Sequence, residues 1–344
     1  MKIAYMPDTH FGIYDQATPT PEETADAAEH LMVECELAEQ VGFDGLWFPE
    51  RHSRTETFIS STTTLLAAAA ARTKKVDLAS TVIMPTFHHP VHLAEELANI
   101  DVISGGRLIF GAGVGYHEDY FRLFGVPFVK KGRRFEEVMK VMEGVWTQDK
   151  FSFEGEFFQF DNVCLTPKSF QRPRPPVWIG AFTEGRPIDR SLDYEGLISW
   201  AIALPHSLEQ VKIKVEDLRE RASKLGKEDW TFAMGLEGWI GDDEEWIREN
   251  HGHRWVRELG FYEDESLSGS TERKALEEME RFHVTLGSKQ KWIDRLSELR
   301  EVVAPDYIGI RTRGPNNAPH YYPSKQECLE CIESLGEVVK ELSK

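Results

Sequence analysis

Apolar residues along this chain follow two alternating rhythms. Short, nearly continuous apolar runs are separated by longer stretches in which apolar residues recur every three or four positions. The first rhythm signals a buried strand, the second an amphipathic helix. Strands are predicted at Lys2–Met6, Leu46–Phe48, Val76–Met84, Arg107–Phe110, Val177–Ala181, Gly196–Ile202, Thr231–Leu236 and Tyr307–Ile310. Between them the helical spacing covers Pro21–Val41, Ser60–Arg72, Pro90–Ser104, Arg134–Trp146, Ser207–Leu225, Ser288–Val302 and Ser324–Leu342. The first helix carries clear boundary signals: Thr20 as cap, Pro21 at the first helical position, Glu23 three on from the cap, and Gly42 as stop.

Two segments break the alternation. Phe151–Phe160 alternates apolar and polar around a Glu-Gly turn, which predicts a hairpin. The proline-rich Pro167–Pro176 follows as an irregular connector, so 148–176 reads as an insertion. Residues 241–287 are charged and poorer in apolar positions: a helix around Glu244–Leu259, then an acidic loop bearing serine and glycine. This second stretch is expected to leave the main alternation near the site face and to act as a mobile lid. Eight strands alternating with helices give a parallel sheet with right-handed crossovers. Closed on itself, that sheet is an α/β fold of the (β/α)8 TIM-barrel class, here one barrel over 1–344. An open doubly wound sheet is the alternative.

Composition narrows the partners. The length of 344 residues suits a barrel, which needs about 250 residues plus insertions. A net charge of −18 argues against nucleic acid and against an anionic membrane surface. No apolar run approaches a membrane span, and the strand-like start at Met1 is expected to follow no signal peptide. Four cysteines make no disulfide framework, and a reducing cytoplasm is the expected location. Cys328 and Cys331 form a single CxxC within a helical stretch and are expected to be ordinary helix positions.

In such a barrel the site forms at the carboxyl ends of the strands. The residues there are Asp8 and His10 after the first strand, and Glu50, Arg51 and His52 after the second. Ser80, Thr81 and Thr86 lie along or after the third. The run Gly111, Gly113, Gly115 with Tyr116 and His117 follows the fourth. Thr183, Gly185 and Arg186 follow the fifth, Ser199 and Trp200 lie in the sixth, Glu237 and Trp239 follow the seventh, and Arg311 and Arg313 the eighth. Ala181–Arg186 opens a predicted helix and is the best anion site: backbone N–H groups, the Thr183 hydroxyl and the Arg186 guanidinium suit a phosphate. His52, with Glu50 beside it, titrates near working pH and is the best proton donor or acceptor. His88, His89 and His92, and likewise His251 and His253, lack a zinc pattern, so no metal is expected. The alternating glycines are neither a P-loop nor a dinucleotide fingerprint.

The run Gly105–Gly125, the preceding Pro85–Pro90 and Ala94–Asp101, and the strand-two signature Gly42–His52 resemble the bacterial luciferase-like family of flavin-dependent oxidoreductases. The resemblance extends over nearly the whole chain. It implies a monooxygenase barrel, usually a homodimer, that takes reduced FMN from a separate flavin reductase and binds O2. Oxygen would then reach a small, hydrophobic organic substrate through a peroxide at the flavin 4a carbon. The resemblance sets the flavin ring against Gly111, Gly113, Gly115 and Tyr116, with Trp200 as an aromatic neighbour. It makes Ser80-Thr81 the place of a non-proline cis peptide and assigns the phosphate to Ala181, Thr183, Gly185 and Arg186. His52 would donate the proton, with His10 or Arg51 as alternates, in a pocket kept dry by Tyr5, Phe11, Trp47, Phe48, Tyr116 and Trp200.

Two departures matter. Val114 stands where luciferase α-subunits carry an arginine, and Arg51-His52 stands where they carry a histidine pair, so light emission is not expected. Two other readings stay open: a hydride-transferring reductase or dehydrogenase using a deazaflavin coenzyme on the same barrel, and a flavin-binding protein without catalysis. Hydroxylation, Baeyer–Villiger insertion and desulfonation are equally open.

Overall fold

The computed structural model describes residues 1–10, 18–55, 57–181, 185–200, 207–263, 269–312 and 323–344. Eight strands close into the expected barrel: β1 Lys2–Met6, β2 Gly45–Phe48, β3 Asp77–Ser80, β4 Leu108–Gly113, β7 Val177–Gly180, β8 Gly196–Trp200, β9 Thr231–Ile240 and β11 Tyr307–Arg311. Each pairs in parallel with its neighbours, and β8–β9, β9–β11 and β11–β1 pairings complete the circle. The open-sheet alternative is thereby excluded. β5 Phe151–Glu154 and β6 Gln159–Val163 form the expected antiparallel hairpin outside the ring.

Side chains alternate across each strand, so every second residue faces the lumen. Ala4, Trp47, Ala79, Ile109, Trp178, Ile198, Ala233 and Tyr307, one from each barrel strand, pack together there with Met6. Three of these are large rings. Trp47 and Trp178 meet edge to face at 6.3 Å, and Tyr307 lies 5.6 and 5.7 Å from them. Such rings fit only because nearby strands carry glycine. A Cβ at Gly309 would stand 2.1 Å from the Trp47 ring, one at Gly45 2.4 Å from the Tyr307 hydroxyl, and one at Gly196 2.8 Å from Trp178. The lumen is therefore plugged by a dry aromatic floor, and any ligand must sit above it.

The outward faces pack against the surrounding helices. The first, Pro21–Val41, begins with the predicted capping box between Thr20 and Glu23 and ends at Gly42, whose φ of 106° is left-handed. The structure differs from the sequence pattern in three places. β3 ends at Ser80 rather than Met84, because the chain leaves the ladder after Thr81. β4 runs on to Gly113, so two of the three glycines lie in the strand rather than after it. Within 241–287 the helix Glu244–Glu263 is followed, beyond residues outside the description, by a helix Gly269–Phe282 and by β10 Val284–Gly287. β10 pairs in parallel with Glu237–Ile240, extending β9 past the residues that meet β8. This strand ends a charged, helix-rich stretch in which the sequence suggested only a helix and an acidic loop.

Gly309→Ala should push the new methyl into the Trp47 ring and cost about 1–3 kcal/mol. The midpoint of urea unfolding measures this, and an unchanged midpoint would show the floor to be loosely packed.

Candidate active site at the carboxyl ends of the strands

Above the floor the lumen-facing residues change from apolar to polar. Arg311 ends β11 and Glu237 lies beside it in register on β9; their side chains form a partly buried ion pair. The Arg311 guanidinium lies 5.3 Å from the Trp200 ring, and Trp200 in turn covers Gly235, where a Cβ would overlap the indole. Next along the ring, Asp8 follows β1 and holds His10 through an Oδ1–Nδ1 contact of 2.8 Å. Arg254, from the helix Glu244–Glu263, reaches the other oxygen of Asp8 at 3.9 Å. The insertion thus contributes a buried cation to the barrel mouth, which sequence order alone did not suggest.

Glu50 organises the corner after β2 and is almost fully buried. Its Oε2 accepts from the Met84 backbone N–H at 2.5 Å, while Oε1 lies 2.9 Å from His88 Nε2 and 3.4 Å from His52 Nε2. Burial alone would raise the carboxyl, but hydrogen bonds from His52 and His88, and the charges of those rings, outweigh it and hold the pKa at about 2. Burial likewise opposes charge on His88, and the bond and charge of Glu50 overcome it and raise its pKa. The His52 ring sits edge-on to Phe124 at 4.7 Å, Tyr120 at 5.8 Å and Phe87 at 6.3 Å. In the sequence His88 stands only among neighbouring histidines that lack a zinc pattern. It shares a carboxylate with His52 because the chain after β3 folds back over β2.

The glycine run serves the chain's own packing first. Gly111 exchanges two hydrogen bonds of 2.8 Å with the Ser80 hydroxyl, and a Cβ there would lie 1.9 Å from the Ser80 carbonyl oxygen. Gly113 and Gly180 are register partners, and both make room for the Val82 side chain, at 2.6 and 2.7 Å from a notional Cβ. Gly115, with φ of 90°, admits Phe121 and Phe87. The non-proline cis peptide bond is Thr81–Val82, one residue beyond the expected Ser80-Thr81. Val82, like Arg254 and His88, is a site residue that the sequence did not reveal. Its only signal was a β-branched residue facing two glycines on different strands.

Other expected residues are dispersed. Tyr116 is 44% exposed, and Arg51 and His10 are buried. Thr81 donates to the Met6 sulfur at 3.9 Å. Ala181 accepts from the Ser199 hydroxyl through its carbonyl, and Thr183 lies outside the described residues. The helix after Gly185 is a single turn, Arg186–Asp189, and Arg186 is exposed and paired with Glu136 at 3.0 Å. Tyr5 and Phe48 point out of the lumen into the helix layer, so they do not line the mouth as expected. Phe11 lies outside the described residues.

Glu50 and His88 set opposite pH limits. The Glu50 carboxyl lies below its ordinary 4.5, so its stabilisation is present above that pH and fades as pH falls towards 2. His88 lies above its ordinary 6.5, so its contribution is complete below that pH and fades as pH rises through the folded value. Glu50→Gln should cost about 2–3 kcal/mol near pH 6 and remove the His88-linked fall in stability at higher pH. Urea titrations across pH measure both, and an unaltered pH slope would contradict the pairing.

The family described as luciferase-like monooxygenase matches residues 9–304. An uncharacterised protein of Sinorhizobium fredii, y4vJ, is 27% identical over 85% of this chain and 86% of its own. The FMNH(2)-dependent dimethylsulfone monooxygenase of Pseudomonas putida is 33% identical over 45% of this chain, an alignment spanning 42% of that protein. Among solved structures, the monooxygenase RslO1 from Streptomyces bottropensis superposes over the whole of both chains, with a TM-score of 0.83 at 23% identity, a likeness of fold. With the match to the family covering most of the barrel, this chain is an enzyme of the luciferase-like monooxygenase family.

Proposed function

We propose that this enzyme uses O2 and reduced FMN, delivered by a separate flavin reductase, to oxygenate a small, predominantly apolar organic substrate. The observation that carries the reading is the Glu50–His52 pair at the barrel mouth, set against the aromatic edges of Phe87, Tyr120 and Phe124. The FMNH(2) dependence of the Pseudomonas putida relative supports the choice of cofactor.

The residues around the mouth suit a flat ring system. The aromatic floor closes the lumen below, Val82 fills the wall beside Gly113 and Gly180, and Trp200 offers a half-buried indole face. Thr81, Val82, Gly113 and Trp200 would hold the ring, and Ala181, Thr183, Gly185 and Arg186 the phosphate end. Bound there, the reduced flavin would supply the electrons that activate O2. With Nε2 turned towards the Glu50 carboxylate, His52 in its imidazolium form would carry at Nδ1 the proton passed to the reacting oxygen. Glu50 orients that ring and stabilises its charged form, and the surrounding aromatic edges exclude water.

His52→Ala should retain flavin, read by fluorescence titration, and lose about 10²–10⁴ in the rate of oxygenated product. The assay supplies reductase, FMN and a panel of sulfones, ketones and aromatics. Full product formation by the variant would remove His52 from the mechanism. Binding of a reduced deazaflavin with no binding of FMN would replace oxygenation by hydride transfer.

A further inference from the structure

The first and last helices of the chain, Pro21–Val41 and Lys325–Leu342, pack side by side outside β1 and β11. At their contact lie His30 and Glu34, one turn apart on the first helix, and Cys328 on the last. One ligand atom from each lies within 4.8 Å of the other two. All three residues are buried, at 7%, 2% and 2% exposure. His30 Nε2 stands 3.0 Å from Glu34 Oε1, and the other Glu34 oxygen accepts from the Tyr5 hydroxyl at 2.8 Å. Tyr5 also meets the Thr312 hydroxyl at 3.1 Å, so oxygen donors border the cluster on the strand side.

We infer that His30, Glu34 and Cys328 form a structural zinc site that ties the first helix to the last. The donor set is nitrogen, oxygen and sulfur, which suits zinc and not magnesium or calcium. Bond lengths of about 2.0–2.3 Å place the donors of a tetrahedral zinc about 3.3–3.7 Å apart. The His30–Glu34 separation is already near that value, and the Cys328 sulfur lies within 4.8 Å of both ligand atoms. On binding, the Cys328 thiol loses its proton to solvent and the sulfur takes a bond to the metal. Glu34 and the thiolate then bring two negative charges to a divalent cation, and neutral His30 adds none. The buried site is thus neutral overall, and an oxygen donor fills the fourth position. His30 and Glu34 stand one turn apart, Cys328 lies nearly 300 residues further on, and the three meet only through helix packing, so no spacing pattern in the sequence marks the site.

The test uses the full-length protein carrying Cys164→Ser, which removes the exposed thiol. The protein is stripped with chelator and reloaded with zinc or cobalt(II). The expected results are one metal per chain by mass spectrometry, a thiolate-to-cobalt charge-transfer band, and a rise of about 3 °C or more in Tm with zinc. Cys328→Ser should abolish the band and His30→Gln should release the metal, while Cys331→Ser keeps both. Absence of bound metal, or a cobalt spectrum without the thiolate band, overturns the proposal. So does a band that survives Cys328→Ser. If the variants fail to accumulate, the spectrum of the Cys164→Ser protein alone decides.

Discussion

The barrel depends on steric complementarity between three large rings and the glycines that face them. Trp47, Trp178 and Tyr307 occupy the lumen at one level, and Gly309, Gly196 and Gly45 leave the volume they need. A closed parallel ring has a fixed interior, so its filling must match to within a methyl group. That packing closes the lumen from below, so a ligand would be received at the carboxyl-terminal rim.

The rim repeats the same device in a different register. Gly113 and Gly180 accept Val82, and Gly235 accepts Trp200, so glycine on one strand shapes the side chain offered by another. Glu50 then does for the polar groups what glycine does for the apolar ones. One carboxylate gathers the Met84 amide, His88 and His52, and thereby links the end of β2 to the chain that leaves β3. Burial of that carboxylate is tolerable only because every oxygen has a donor. The insertion after β9 adds Arg254 to Asp8 and His10, so the mouth is built by the barrel and its excursion together.

Sequence pattern alone determined the eight strands, their order, the capped helix ends and the hairpin, because each rests on contacts between residues close along the chain or on a period of two or 3.6. It also determined which residues lie at the strand ends, including Asp8, Glu50, His52, Trp200 and Arg311. Tertiary structure decided what those residues touch. It spent the glycines on Ser80, Val82, Phe87 and Phe121, turned Tyr5 and Phe48 outwards, and gave Glu50 to two histidines. It also brought Arg254 to Asp8, and His30 and Glu34 to Cys328. These pairings join segments far apart in sequence, and no local period encodes a contact that exists only once the ring has closed.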